Sequence, residues 1–435
     1  MIKIGNKVEF SKNRFQGNLI LLAETLHRWF FGQEMSDVMK EFLKNLSFSF
    51  FGGIVAATIM FGVSIIAGRI LGPLGFGTYN YLLSLATTSM IFFLLGSNTG
   101  AIRFLSDEKY EERRGAFMSA TLAIIAIQGI IFFCIVLLTS NYLQAQLNLN
   151  PLLFSLVFIF SAVFAFKEIT DSFLRSFLLI KKQAIFRVVD ALCVFGTLVF
   201  FLLMNDSFSP VDYAYSVIFG AFIFITLSIF HLRKQLSFFS FIEIKQLLGY
   251  NKYLLLVALS GIILSFDKVI IGKTIGTEAL GVFSAYYASS QLIISNLGLV
   301  FMNVFWPFVI KNKNNIPAIL GKLDVLLLKF LPIGIILNSV SVTFFVSLYG
   351  EEYPLHLILI ILFAIASIAN IVFFVYTSLL NIDRVFQSAF IFLTVNLLLI
   401  STLVFFKDIQ IYLMAQIVLY FLGALFIRRR MKKPV

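Results

Sequence analysis

Twelve apolar stretches, each long enough to cross a bilayer, leave this chain little choice of architecture. They fall near residues 47–69, 78–101, 116–140, 152–174, 184–204, 213–231, 253–275, 281–305, 324–348, 354–380, 385–406 and 410–427. A hydrocarbon core about 30 Å thick takes roughly 20 helical residues to span. Backbone groups inside it must be satisfied within the segment, and the odd-even alternation of membrane barrel strands is absent, so the spans read as helices. The predicted class is an all-α membrane protein with twelve transmembrane helices. Composition agrees, with 60% hydrophobic residues, 13% charged residues and a mean hydropathy of +0.95. A soluble domain carries about a quarter charged residues.

Sorting Lys and Arg among alternate loops puts nearly all of them on one side, including Lys109, Arg113, Arg114, Lys181, Lys182, Arg233, Lys234, Lys311, Lys313 and Arg428 to Arg430. The other side receives Arg69, Lys273 and Lys407. Cationic loops resist translocation, so the rich side, with both termini, is expected to be cytoplasmic. The net charge of +12 is then a topology signal. Nucleic acid is not an expected partner, because the basic residues are spread over many loops with no cytoplasmic domain to gather them. The first apolar run begins only after residue 45 and lacks a small-residue cleavage site, which argues against a secretory signal. Cys134 and Cys193 lie inside apolar runs and His27, His231 and His356 are scattered, so neither a disulfide nor a metal site is expected.

The expected domains are a cytoplasmic or interfacial segment over 1–45, a six-helix lobe over 46–232, a cytoplasmic amphipathic connector over 233–252 and a second six-helix lobe over 253–435. In the first segment apolar and charged residues mix at helical spacing around Trp29, Phe30 and Phe31, the pattern of an interfacial helix. The connector, FFSFIEIKQLLGYNKY, reads the same way.

The two-lobe division rests on an internal echo. GRILGPLGFGTY at 68–79 aligns without gaps with GKTIGTEALGVF at 272–283, so that Gly68, Gly72 and Gly77 meet Gly272, Gly276 and Gly281, and Arg69 meets Lys273. Each copy ends an odd-numbered span, six crossings apart. An even separation relates the lobes by an axis along the membrane normal, and such pairs enclose a central cavity suited to alternating access. Spans one, two, seven and eight are expected to line it. The segment DKVIIGKT at 267–274 ends like a phosphate-binding loop, but Asp267 stands where that motif needs glycine. ATP hydrolysis is not expected.

Charged residues inside the spans are the candidate functional groups. Span four holds Lys167, Glu168, Asp171 and Arg175, span five Arg187 and Asp190, and span seven Asp267 and Lys268. Insertion scales charge roughly 2.5 to 3.5 kcal/mol for each such group at the membrane centre, so these faces must turn inward. Lys167, Asp171 and Arg175 share one helical face at four-residue spacing, where adjacent opposite charges can pair, but Arg175 is near enough the cytoplasmic end to snorkel and is set aside. Substrate or ion contact is one reading of these groups, and ion pairs that only fix packing is the other. Tyr79, Tyr81, Tyr286 and Tyr287 are candidates for cavity walls that stack on sugar rings.

With GRILGPLGFGTY, AIRF at 101–104, SFDKVIIGKTIG at 265–276 and LYGEEY at 348–353, the chain resembles the Wzx-type polysaccharide (O-antigen) flippases of the multidrug/oligosaccharidyl-lipid/polysaccharide exporter superfamily. The resemblance implies a non-enzymatic transporter in the bacterial plasma membrane. Its substrate would be an undecaprenyl-pyrophosphate-linked oligosaccharide, flipped from the cytoplasmic to the outer leaflet. Lys268, Lys167 and Arg187 would meet the pyrophosphate, with Arg69 and Arg103 near the two mouths and Asp171 and Asp190 beside them. Asp267 could carry a coupling proton or sodium ion, and no other cofactor is implied. Membrane lipids, a polysaccharide polymerase and glycosyltransferases are the expected partners. The rival readings are a cation-coupled multidrug antiporter of the same superfamily, a cell-wall precursor flippase, whose extra C-terminal spans this chain lacks, and a scaffold for glycan-synthesis enzymes.

Overall fold

The structure, a computed structural model, describes residues 37–291, 294, 316–381 and 385–431. Most of the N-terminal segment and the second half of predicted span eight lie outside them. The helices are α1 (Asp37–Leu94), α2 (Ser97–Ser106), α3 (Arg114–Leu147), α4 (Pro151–Ser176), α5 (Ile180–Met204), α6 (Pro210–Leu232), α7 (Phe241–Thr274), α8 (277–291), α9 (Ile316–Ser347), α10 (Leu357–Asn381), α11 (Val385–Phe406) and α12 (Ile409–Met431). The described residues contain no strand. Eight helical stretches among them are long and apolar enough to cross a membrane. The chain is a multi-pass, all-α membrane protein.

Local chemistry sets the helix ends. Asn150 caps α4 by accepting a hydrogen bond from the Leu153 N–H at 2.8 Å, and Pro151 follows in the first turn, where its missing N–H costs nothing. Ser209 and Asp212 form a reciprocal capping box at the start of α6. Helix α1 has 58 residues, about 87 Å at 1.5 Å per residue and far more than one crossing needs. It bends at Gly72, whose φ of 63° is costly for any residue with a Cβ, immediately before Pro73. Predicted spans one and two are the two limbs of this bent helix. The second limb stops at Leu94 rather than near 101, because Leu95 and Gly96 both take positive φ and the chain restarts as the short helix α2.

The echo is a physical contact. A Cβ on Gly77 would stand 1.6 Å from the Thr277 carbonyl oxygen, and one on Gly281 would stand 1.9 Å from the Pro73 carbonyl oxygen. Pro73 and Thr277 occupy equivalent places in the two copies, as do Gly77 and Gly281, so the contact is self-complementary about a pseudo-two-fold axis. Small residues permit this backbone approach. Further bonds close the same end: the Tyr353 hydroxyl donates to the Gly68 carbonyl at 2.9 Å, and Ser64 and Tyr349 share a hydroxyl–hydroxyl bond at 3.2 Å. One apolar core runs across this joint, with Val63, Ala67 and Phe76 packed together with Val346, Tyr349 and Phe363. A second core, built on Phe104, Phe117, Phe173 and Phe224, belongs to the first lobe at the opposite end and takes in Leu247 of α7.

Helix α7 ties the lobes together by a different route. No break separates the connector from predicted span seven, and its 34 residues form one rod about 51 Å long. The early turns lie on the first lobe, where Asn251 donates to Ser97 Oγ at 3.0 Å and Arg113 pairs with Glu243. The late turns belong to the second lobe, where the Tyr412 hydroxyl donates to Asp267.

If the glycine pair sets the joint, Gly77→Ala and Gly281→Ala should each lower stability by about 1 to 3 kcal/mol through overpacking. Gly196→Ala, at a helical site with open space for a Cβ, should cost nothing. Thermal unfolding of the three purified variants checks this.

Candidate functional site

Helices α4 and α5 gather the interior charges of the first lobe into a network of two ion-pair groups. Lys167 bonds Asp190 across the helix pair at 2.5 Å, and Arg187 forks onto Asp171 with Nη2 at 2.9 Å and Nε at 3.2 Å. Gln183 donates to Asp171 at 2.8 Å, and Arg175 reaches Asp171 at 3.3 Å and Glu168 at 3.0 Å. The expected pairing of Asp171 with Arg175 one turn away is present, whereas Lys167 takes its partner from the neighbouring helix. Lys167 lies about 14 Å of helix from the Ser176 end of α4, and Asp190 about 15 Å from the Ile180 end of α5. Both therefore sit well inside the hydrocarbon thickness.

The network is layered. The Asp171 and Asp190 side chains are 7% and 10% exposed, but those of Lys167, Arg187 and Arg175 are 30%, 41% and 42% exposed. Its six charges, Glu168 included, sum to zero, yet cations stand in front and two carboxylates behind them. Exposed cations at the depth of Lys167 and Arg187 are unfavourable against lipid tails, so this face is expected to meet a hydrated space, while Arg175 lies at the Ser176 end of α4. The buried carboxylates hold the basic groups in place, an arrangement suited to receiving an anion in bidentate, charge-assisted hydrogen bonds.

The second lobe contributes a different pair. Asp267 is 8% exposed, and its carboxylate accepts from the Tyr412 hydroxyl at 3.0 Å and the Lys268 backbone N–H at 2.7 Å. The Lys268 ammonium lies 4.3 Å from the centre of the Tyr287 ring, a cation–π contact. Neither residue has an ion pair among the described residues. Lys268 is about 9 Å of helix from the Thr274 end of α7, nearer the glycine joint, so the two sets stand at different depths and do not touch. Arg69 is exposed at the glycine end. Arg103 is exposed at the other end, where it donates to the Tyr250 hydroxyl at 3.4 Å and lies 4.7 Å from that ring's centre.

Three of the four candidate aromatic walls are packing groups instead. Tyr79, Tyr81 and Tyr286 are 5%, 4% and 0% exposed. Tyr79 packs on Tyr213 with ring centres 4.0 Å apart, Tyr81 donates to the Leu147 carbonyl, and Tyr286 donates to the Pro354 carbonyl. Buried phenols need such partners, and finding them fixes these rings at the glycine end. Only Tyr287 stays beside a candidate charge.

Sequence reasoning missed two clusters. In the second lobe, Asp324 accepts from Arg428 Nε at 2.8 Å and from the Tyr376 hydroxyl at 2.5 Å. Arg428 had been read only as a topology signal. At the start of α7, Glu243 caps the helix with Ser240 and also pairs with Arg113. The Ser-x-x-Glu spacing signals the cap, but nothing in the sequence names the distant arginine. Burial alone would raise the Glu243 carboxyl, yet hydrogen bonds from Ser240 and Arg113 hold it down at about 2. The contact therefore contributes fully above the ordinary value of 4.5 and is lost as pH falls toward 2.

A family model described as polysaccharide biosynthesis protein matches residues 42–313. The chain belongs to that family. The resemblance to polysaccharide flippases drawn from the sequence is borne out by it. No curated protein matches the chain at the sequence level. Among solved structures, the chain is similar to an inward-facing multidrug resistance MATE family transporter of the MOP superfamily, with a TM-score of 0.63 and 14% identity over 87% of this chain and 94% of that one. An outward-facing MATE structure gives a TM-score of 0.56 at 12% identity over 89% and 95%. A MOP superfamily transporter from Pyrococcus furiosus Vc1, described as having a binding pocket of reverse polarity, gives 0.55 at 14% over 90% and 97%. At these identities the likeness concerns the fold, which is the two-lobe helical fold of MOP transporters.

Replacing Asp171 with Asn would leave Arg187 and Arg175 without their shared carboxylate inside the membrane. A loss of roughly 1 to 3 kcal/mol is expected, below the value for a fully buried pair because both guanidinia are partly exposed. The fall in unfolding temperature of Asp171→Asn relative to the parent reads it directly. The double change Lys167→Met with Asp190→Asn should cost less than Asp190→Asn alone.

Proposed function

We propose that this chain carries a pyrophosphate-linked oligosaccharide, anchored on an undecaprenyl lipid, from the cytoplasmic to the outer leaflet of the bacterial plasma membrane. The observation that carries this reading is the layered network on α4 and α5. It offers cations to a hydrated space at membrane depth while its two aspartates stay behind. A pyrophosphate loses its hydration on leaving the headgroup region, and charge-assisted hydrogen bonds from Arg187, Arg175 and Lys167 replace part of that loss. Lys268, which has no ion pair among the described residues, is the next described cation along the path toward the glycine joint. Arg103 and Arg69 stand at the two mouths.

The orientation follows from charge. Lys109, Arg114, Lys182, Arg233, Lys234, Arg429 and Arg430 gather at the end opposite the glycine joint, and Arg69, Lys273 and Lys407 at the joint end. The positive-inside rule then makes the joint end the outer one, with both termini cytoplasmic. In this orientation the described conformation is closed outward. Substrate enters from the cytoplasmic side, and release requires the lobes to part at the joint. The sugar headgroup passes between the lobes while the polyprenyl tail stays in lipid. Asp267, a buried carboxylate that forms no ion pair among the described residues, is the group best placed to bind a coupling proton or sodium ion. The family description favours a glycan substrate, supplied by glycosyltransferases and consumed by a polymerase, over a soluble drug.

Lys268→Ala should abolish surface polysaccharide while leaving the amount of protein in the membrane unchanged, and lipid-linked oligosaccharide should accumulate on the inner leaflet as it does in a deletion of the chain. Normal surface glycan in that variant would remove Lys268 from the pathway. Altered drug tolerance with normal glycan in the deletion strain would point to an antiporter.

A further inference from the structure

The connector that opens α7 is turned inside out for a segment surrounded by water. On its first turns the polar residues Glu243 and Asn251 are buried against the first lobe, at 4% and 5% exposure, together with Leu247. Phe241, Ile242 and Leu248 occupy the opposite face at 76%, 58% and 47% exposure, and Phe238 just before them is completely exposed. Exposed apolar surface gathered in one place marks an interaction site. Here it continues an existing one: Phe219, Phe222 and Phe230 form the exposed stripe of α6, a membrane-crossing helix whose outer stripe faces acyl chains. Arg233, Lys234 and Lys245 are exposed among these apolar groups, and the Arg233 guanidinium lies 4.0 Å from the centre of the Phe230 ring.

We propose that residues 233–248 dock into the bilayer interface, with Phe238, Phe241, Ile242 and Leu248 in the upper acyl region and Arg233, Lys234 and Lys245 on anionic phospholipid headgroups. Apolar side chains beneath a basic rim are the chemistry of an interfacial anchor. The neighbours of this surface favour lipid over a protein partner, since its exposed apolar groups follow the lipid-facing stripe of α6, with Arg233 and Lys234 between them. The consequence is mechanical. The same turns carry the Glu243–Arg113 contact, so the helix shared by both lobes is held in the plane of the headgroups at the point where it leaves the first lobe. Assignment to the inner leaflet rests on the orientation proposed above; docking into lipid does not, and the two can fail separately.

Tryptophan fluorescence tests the proposal in the full chain. With Trp29→Phe and Trp306→Phe as background, Phe238→Trp and Phe241→Trp place reporters on the exposed face, and Leu138→Trp, at a site 88% exposed on α3, serves as the lipid-facing control. In nanodiscs holding one copy, lipids brominated in the upper acyl chain should quench both reporters about as well as the control, while aqueous acrylamide has little effect. Changing Arg233, Lys234 and Lys245 to Gln should reduce the preference for brominated phosphatidylglycerol over brominated phosphatidylcholine by roughly five-fold for each charge removed. Quenching by acrylamide but not by bromolipid would overturn the proposal, as would quenching by neither, which would mean that protein covers the face. Equal quenching by the two brominated lipids in the parent would overturn the headgroup part.

Discussion

Two backbones in touch at Gly77 and Gly281 are the constraint on which the arrangement of this molecule depends. Each lobe alone is a bundle with lipid around it, and association of helices in lipid draws little on the hydrophobic effect, so close packing and hydrogen bonding must hold the lobes together. The glycine pair permits that packing, and the hydroxyl bonds of Tyr353 and Tyr349 close around it. The contacts of this joint are made by small residues and by neutral hydroxyl bonds, and no ion pair crosses it among the described residues. A contact made of van der Waals surface and a few neutral hydrogen bonds can open at modest cost, which suits a joint that must part in each cycle.

Charge is organised on the opposite principle. In the first lobe Asp171 and Asp190 are buried while the bases they hold, Arg187, Arg175 and Lys167, face outward, so each of these aspartates is a fixed stand for a cation. The second lobe departs from this at Asp267 and Lys268, which are adjacent in sequence but do not pair: the carboxylate turns to Tyr412 and the ammonium to Tyr287. Neither group forms an ion pair among the described residues, which is why both enter the proposed pathway. Helix α7 carries this pair at one end and the Glu243 contact at the other. One rigid rod therefore spans from the basic end of the first lobe to the candidate ion-binding group of the second.

Much of this was legible in the sequence because membrane burial leaves a coarse, strong signal. Apolar length marked the spans and basic loops sorted the two ends. The repeated GxxxG-like spacing marked the two-lobe repeat, but that its two copies touch, at Gly77 and Gly281, became clear only in three dimensions. Lys167, Asp171, Arg187 and Asp190 were identified because charges inside a span stand out. Their pairing was only half readable, since i to i+4 spacing reveals Asp171 with Arg175 but not Lys167 with Asp190 on another helix. The tyrosines misled for a related reason: a phenol beside a glycine turn reads equally as a cavity wall or a clamp, and only the partner carbonyls of Leu147 and Pro354 distinguish the two. Glu243 with Arg113 and Asp324 with Arg428 join residues far apart in sequence at the end opposite the glycine joint, where a charge carries no surprise.

The account turns on whether the joint at Gly77 and Gly281 opens as substrate is carried across. Spin labels at Leu74 and Glu278, which flank it on α1 and α8, would report the gap by pulsed dipolar spectroscopy in lipid nanodiscs with and without lipid-linked oligosaccharide. A single short distance without substrate, joined by a longer population when substrate is added, is the predicted result. An unchanged short distance in a chain that still exports glycan would contradict it.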